Sequence, residues 1–124
     1  MTTTSESVQT INAVTLLTAN MPAAVEFYEA LGFQLLAGGA DAPFTTFRAG
    51  DSFLNLQLDP AHSPINAIWG RVIFWVTDVD EVFSRAQAAG YTPSTSPADA
   101  AWGERYFHIS DVDGHELSFA RPLH

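Results

Sequence analysis

Val14–Phe33, VTLLTANMPAAVEFYEALGF, and Val72–Tyr91, VIFWVTDVDEVFSRAQAAGY, lie 58 positions apart and follow one pattern. Each runs from an apolar strand through a polar cap into an amphipathic helix, then to a glycine and an aromatic residue. Val14 falls on Val72, Leu16 on Phe74, Asn20 on Asp78, Gly32 on Gly90 and Phe33 on Tyr91. Two copies are too few to stack as a solenoid. They are expected to pair with each other into one closed or saddle-shaped sheet.

Working outward, each copy reads as βαβββ. The first strand spans Ile11 to Thr18, rich in β-branched residues and leucine. Asn20 caps a helix that tolerates Pro22 in its first turn. Met21, Ala24, Val25 and Tyr28 fall at i, i+3, i+4 and i+7, which makes one face apolar, and Gly32 stops the helix. Strands are predicted over Phe33–Ala37, Phe44–Ala49 and Phe53–Leu58. Asp59–Ala67 reads as a linker, with two prolines and polar residues. The second copy is predicted as a strand over Gly70–Thr77, a helix with Asp78 and Asp80 as cap candidates and Gly90 at its end, a short strand over Tyr91–Thr95, a loop over Ser96–Gly103, and a hairpin. The hairpin pairs Arg105–Ile109 with Glu116–Ala120 around Asp111-Val112-Asp113-Gly114. This gives an α+β fold with module one at about 11–58, module two at about 68–122, and residues 1–10 as a disordered lead-in to a single domain over 11–124.

The period of two along a strand assigns faces. Val14 and Leu16 should pack on the helices, with Ala13, Thr15 and Leu17 opposite. Val72, Phe74 and Val76 should do the same, leaving Arg71, Ile73 and Trp75 opposite. Leu117 and Phe119 should face the helices, leaving Glu116 and Ser118 on the other side.

Composition bounds the function. A chain of 124 residues, 47% hydrophobic and 15% charged, is large enough for one core and too apolar for disorder. Without cysteine there is no disulfide frame, thiolate chemistry or cysteine zinc site. No apolar run approaches the roughly 18 residues of a membrane span. The opening MTTTSESVQT lacks the basic and apolar regions of a signal peptide, so the expected compartment is the cytoplasm. A net charge of −9 argues against nucleic acid. It either steers a cationic ligand or simply keeps the protein soluble.

Duplicated βαβββ halves, together with VEFYEALGF (Val25–Phe33) and WGERYFHISDVDGHELSF (Trp102–Phe119), resemble the vicinal oxygen chelate superfamily. That group includes glyoxalase I, extradiol dioxygenases, fosfomycin-resistance enzymes and bleomycin-resistance proteins. The likeness covers about Ile11 to Pro122, with Val112 where the family usually has proline. It implies two modules whose mixed sheets curl around a cleft, helices on the outer face, and often a homodimer. The family's enzymes hold a divalent metal at four strand positions. Here those fall on Ala13, on Asn55 or Gln57, on Arg71 and on Ser118. Alanine cannot ligate, arginine repels a cation, and an amide and a hydroxyl replace the family's carboxylate and imidazole poorly. No metal and no other cofactor is therefore expected. The closest pattern is the metal-free bleomycin-resistance type, which sequesters a drug.

The resemblance and the face assignment together place Leu17, Asn55, Gln57, Arg71, Ile73, Trp75, Trp102, Tyr106, His108, Glu116 and Ser118 around the cleft. Trp75 is a wall for planar or cationic ligands, or a filler of the concave face or a dimer contact. Trp69 stands at the strand edge. Trp102 lines the cleft or lies as a lid on the protein's own surface. Arg71 either binds a carboxylate or phosphate, or pairs with Glu116 on the same face; the ion pair is the expected outcome. Tyr106 and His108 share the cleft face if Phe107 and Ile109 face the helices. His108 could act as a base, yet no nucleophile or carboxylate sits at a suitable spacing, so no catalytic residue is assigned. Asp111–Gly114 lacks the twelve-residue pattern of a calcium loop.

Three readings follow. The first is a metal-free, dimeric protein binding an antibiotic or other aromatic or cationic small molecule. The second is a divergent metal-dependent lyase, isomerase or dioxygenase, with ligands such as Gln57, Glu116 or His108. The third is a subunit or regulatory module whose cleft is filled by its own side chains, such as Trp75, Arg71 and Leu17.

Overall fold

The computed structural model describes residues 7–124. The lead-in expected over residues 1–10 lies outside the described residues up to position 6, and residues 7–10 are irregular and exposed. The elements run β1 (Ala13–Thr18), α1 (Met21–Ala30), β2 (Gln34–Ala37), β3 (Phe44–Ala49), β4 (Ser52–Leu58), then β5 (Val72–Trp75), α2 (Val79–Ala88), β6 (Ala98–Ala100), β7 (Glu104–Ser110) and β8 (Glu116–Pro122).

The duplication is visible bond by bond at the helix ends. The Asn20 side-chain oxygen accepts from the Ala23 N–H at 3.0 Å, and Asp78, 58 positions on, accepts from the Glu81 N–H at 3.1 Å. Both helices close with the same pair of reversed bonds. Gly32 and Phe33 donate to the carbonyls of Glu29 and Tyr28, as Gly90 and Tyr91 donate to those of Gln87 and Ala86. That closure needs a left-handed residue, supplied by Gly32 at φ 104° and Gly90 at φ 92°.

Each copy builds its own mixed sheet, in the order β1-β4-β3-β2 and β5-β8-β7-β6. The first and last strands of each copy are parallel, and the other pairs are antiparallel. The eight strands therefore form two four-stranded sheets and no closed barrel. One core joins them. Leu16, Phe47, Leu54 and Leu56 of the first sheet cluster with Phe107, Ile109, Leu117 and Phe119 of the second, and with Met21, Ala24, Val25, Phe27, Tyr28, Val79, Val82 and Ala86 of the helices. Phe33 links both sheets, its ring centroid 6.1 Å from Phe47 and 5.0 Å from Phe74.

One strand is displaced from its predicted place. Tyr91–Thr95 forms no strand, and β6 lies at Ala98–Ala100, inside the segment read as a loop. Pro93 has no N–H to give a ladder. Its neighbours still lean on β7: the Ser94 N–H donates to the His108 carbonyl at 2.8 Å, and Thr95 Oγ1 accepts from the His108 N–H at 3.0 Å. Regular pairing starts only beyond Pro97.

Candidate functional site

The register fixes which side chains share a face. In the second sheet Phe107 and Ile109 are buried in the core. Tyr106 and His108 therefore emerge on the opposite face, with ring centroids 5.0 Å apart. Trp102, in the turn before β7, stacks on Tyr106 at 5.7 Å and donates its Nε1–H to Glu104. Across the sheet, Trp75 pairs with Ala120, which pairs with Tyr106, and Ile73 pairs with Ser118, which pairs with His108. Small residues thus form the middle of this face and large ones its flanks. Ser118 and Ala120 are covered, whereas Ile73 is 57% and Trp75 71% exposed.

Arg71 and Glu116 form the expected ion pair, Nη2 to Oε2 at 3.2 Å, with Nε on the same oxygen at 3.4 Å. His108 stays below its usual pKa, first because it is partly buried and then because Arg71 is near. In the first sheet, Asn55 is engaged at both polar atoms: its Oδ1 accepts from Thr46 Oγ1 and its Nδ2 donates to Thr15 Oγ1. Leu17 is half-buried and Gln57 is exposed on the same sheet.

A cavity of about 960 Å³ lies between the two first strands. Ala13 and Val14 of β1 contribute one side, and Val72, Ile73, Phe74 and Trp75 of β5 the other. Arg48 of β3, Phe53 of β4, Trp69 and Arg71 complete the polar and aromatic lining, and Leu31–Gln34 and Phe119 close it from the core side. Of the side chains expected around the cleft, only Arg71, Ile73 and Trp75 reach this cavity. Trp102, Tyr106, His108, Glu116 and Ser118 share the face of the second sheet without lining it, and Leu17, Asn55 and Gln57 remain on the first. Arg48, Phe53 and Gln34 were not anticipated. The signal for them was available: Gln34 and Arg48 face each other across β2 and β3, and Arg48 faces Phe53 across β3 and β4. Strand register therefore carries the basic side chain to the aromatic.

A polar clasp sits at the other end of β1. His115 Nε2 is 2.8 Å from the Leu17 carbonyl oxygen, and its Nδ1 accepts from Trp69 Nε1–H at 3.0 Å. The acceptor role of Nδ1 leaves the proton on Nε2, which donates to Leu17. Asp113 accepts from the Ala19 N–H at 3.0 Å. Asp111 accepts from the Asp113 and His115 N–H groups at 2.9 Å each, and from the Tyr28 hydroxyl at 2.6 Å. Burial pushes the Asp111 carboxyl above its ordinary value against these donors, and burial with the facing carboxylate pushes Tyr28 well above its own. The turn predicted at Asp111–Gly114 is thus the fastening between the copies.

A family model described as Glyoxalase/Bleomycin resistance protein/Dioxygenase superfamily matches residues 10–119. The chain belongs to this superfamily. Among solved structures, TioX from Micromonospora sp. ML1 is 27% identical over 93% of this chain and all of that one, with a TM-score of 0.72. A bleomycin-binding protein in complex with bleomycin is 21% identical over 92% of this chain and 98% of that one, with a TM-score of 0.69. A lactoylglutathione lyase from Agrobacterium tumefaciens is 19% identical over 94% and 96%, with a TM-score of 0.71. The last two share the fold. No curated protein sequence matches the chain.

The metal that many superfamily enzymes carry does not fit the residues present. Ala13 offers no donor, Arg71 is a cation held by Glu116, Ser118 is buried between Ile73 and His108, and Asn55, like Gln57, offers only a neutral amide, with the Asn55 Oδ1 already accepting from Thr46. Among the described residues no three His, Cys, Asp or Glu side chains converge.

Proposed function

We propose that this superfamily member is a small-molecule-binding protein that works without a metal, enclosing a ring-bearing ligand, such as an antibiotic, between its two modules. The observation that carries the reading is the cavity itself. It is large enough for a drug-sized molecule, lined mainly by apolar and aromatic side chains, and bordered at Ala13 and Arg71 by two family metal positions that hold no ligand-forming side chain. The same fold houses bleomycin in one neighbour. Trp75 and Arg71 border this space without filling it, which weighs against a cleft plugged by its own residues. We also propose a homodimer in the cytoplasm. Trp102, 71% exposed and outside the cavity lining, leaves apolar surface that a second copy would cover, and a cysteine-free chain needs no oxidising compartment. Among the described residues no helix is long and apolar enough to cross a membrane.

The enzyme alternative would need ligands such as Gln57, Glu116 and His108. Glu116 is already engaged by Arg71, and Gln57 is a neutral amide on the other sheet. The test is metal content of the purified protein, with Ni²⁺, Zn²⁺, Mn²⁺ and Fe²⁺ added during thermal unfolding. A ligand that binds only the folded state must raise the midpoint. No stoichiometric metal and no shift is the expected result. A bound metal would overturn the metal-free reading. Sedimentation at micromolar concentration checks the dimer, and a monomer there would remove it.

A further inference from the structure

Building on the cavity as a small-molecule site, we infer that its ligand is a ring-bearing organic monoanion, held by Arg48 against the aromatic walls. The argument is the distribution of charge. The chain has fourteen acidic residues and five basic ones, all of them arginines. Two of the five, Arg48 and Arg71, line the cavity, and none of the described acidic residues does. Asp51, between the lining residues Gly50 and Ser52, is the nearest in sequence and is not part of the lining.

The arginines are not equivalent. Arg85 pairs with Glu81, Arg105 with Asp80 and Asp99, and Arg71 with Glu116. Among the described residues the Arg48 side chain has no carboxylate partner and makes one hydrogen bond, a long one of 3.4 Å to the Gly50 carbonyl. Arg121 also lacks a carboxylate, but it lies outside the cavity and donates to the Thr77 carbonyl. Arg48 is thus a guanidinium left open at the wall of an apolar cavity, in a chain whose acids outnumber its arginines. Arg71 is half spent, because Nε and Nη2 both go to a single Glu116 oxygen. Counting Arg48 and Arg71 against Glu116 leaves one positive charge, which matches one negative charge on the ligand.

The remaining surface selects a flat apolar body. Trp69 is held by its bond to His115, and Trp75, Phe53 and Phe74 add further ring faces. A cation would gain from these faces but would meet Arg48 with no acid to offset it. The chain's net charge of −9 acts at long range and is screened beyond about 8 Å at physiological salt, so the local lining decides the sign of the ligand.

Three probes with one ring system test this by calorimetry: 2-naphthoate, neutral 2-naphthamide and cationic 2-naphthylmethylammonium. The carboxylate should bind about tenfold or more tighter than the amide, with the cation weakest. Arg48→Gln should abolish the advantage of the carboxylate and leave the amide where it was. Arg48 is exposed, so an unchanged unfolding midpoint shows that the variant is folded. Equal affinities, or a tighter cation, would overturn the anion while the ring-binding cavity stands. An advantage that survives Arg48→Gln would overturn the role of Arg48. Failure of all three probes would remove both this inference and the small-molecule reading beneath it.

Discussion

The two ends of β1 meet the second module in opposite ways. At its C-terminal end, the Leu17 carbonyl and the Ala19 N–H are taken up by His115 and Asp113 in a hydrogen-bonded clasp. At its N-terminal end, Ala13 and Val14 border an open cavity opposite Val72–Trp75. β1 is thus fastened to the β7–β8 turn at one end and parted from β5 at the other. Among the residues of the clasp only Trp69, which donates to His115, also lines the cavity, so substitutions that leave Trp69 in place should have separable effects at the two ends.

The largest effect is expected at the clasp. Asp111→Ala removes the acceptor for the Tyr28 hydroxyl and for two backbone N–H groups in a buried site. Leaving such donors unmet costs about 1–3 kcal/mol each, so urea unfolding should show a loss of about 3 kcal/mol or more. The cost of holding this carboxylate in a buried site offsets part of that loss. Gly114→Ala comes next. Gly114 has φ 90°, and a Cβ there would overlap the Ile65 carbonyl oxygen where the linker crosses the turn. A loss of about 2 kcal/mol is expected, from strain together with the shift of Ile65. In both variants the molecules that remain folded should bind 2-naphthoate with nearly the wild-type affinity. A parallel fall in affinity would show that the two ends are coupled.

Tyr28→Phe sharpens the same comparison through pH. It keeps the ring in the core and removes one donor from Asp111, with an expected cost of about 1–2 kcal/mol near neutrality. The sign follows from the carboxyl. Its folded pKa is raised above 3.8 by burial, so its favourable contribution is present below that value and is lost as pH rises through the folded pKa. The Tyr28 bond opposes that rise. Removing it pushes the folded pKa higher still, so the deficit of the variant should be small in acid and widen as pH rises through the carboxylate range. A deficit independent of pH would mean that the hydroxyl acts by packing alone.

The cavity end should respond in the reverse way. Trp75 is 71% exposed, so Trp75→Ala should leave the unfolding midpoint within about 0.5 kcal/mol of wild type. Affinity for naphthoate should fall about fivefold, the scale of one lost aromatic contact. A large loss of stability instead would place Trp75 in an obligate contact between copies.

What the sequence made legible follows the repeat. The helix caps at Asn20 and Asp78, the stops at Gly32 and Gly90, and the inward faces of β1, β5 and β8 are local consequences of spacing. The Arg71–Glu116 pair was legible for the same reason, since both residues were assigned to one face. The displaced β6 was not, because Pro93 and Pro97 break the repeat just where the two copies differ in length. The cavity was legible only in part. Period two shows which side of a sheet a residue takes but not how far apart two sheets stand, so Arg71, Ile73 and Trp75 were found while Arg48 and Phe53 were not. The clasp was missed because its members, Tyr28, Trp69 and His115, come from three separate segments. Asp111–Gly114 read as a turn on composition alone, with nothing local to show that it also receives β1.

The smallest expected effect belongs to His108, which is part of neither the clasp nor the cavity lining. Its imidazole is held below the usual 6.5 by partial burial and by Arg71, so the folded state prefers it neutral. The unfolded chain then takes up the proton first as pH falls from about 6.5, and stability drops between there and the lower folded pKa. His108→Asn should flatten that stretch of the stability profile and leave the region above pH 7 unchanged. It should also leave naphthoate binding alone, because His108 does not line the cavity. If the variant weakens binding at pH 8, where the imidazole is neutral in both states, then the strip of Trp102, Tyr106 and His108 belongs to the ligand site, and the cavity between β1 and β5 is only part of it.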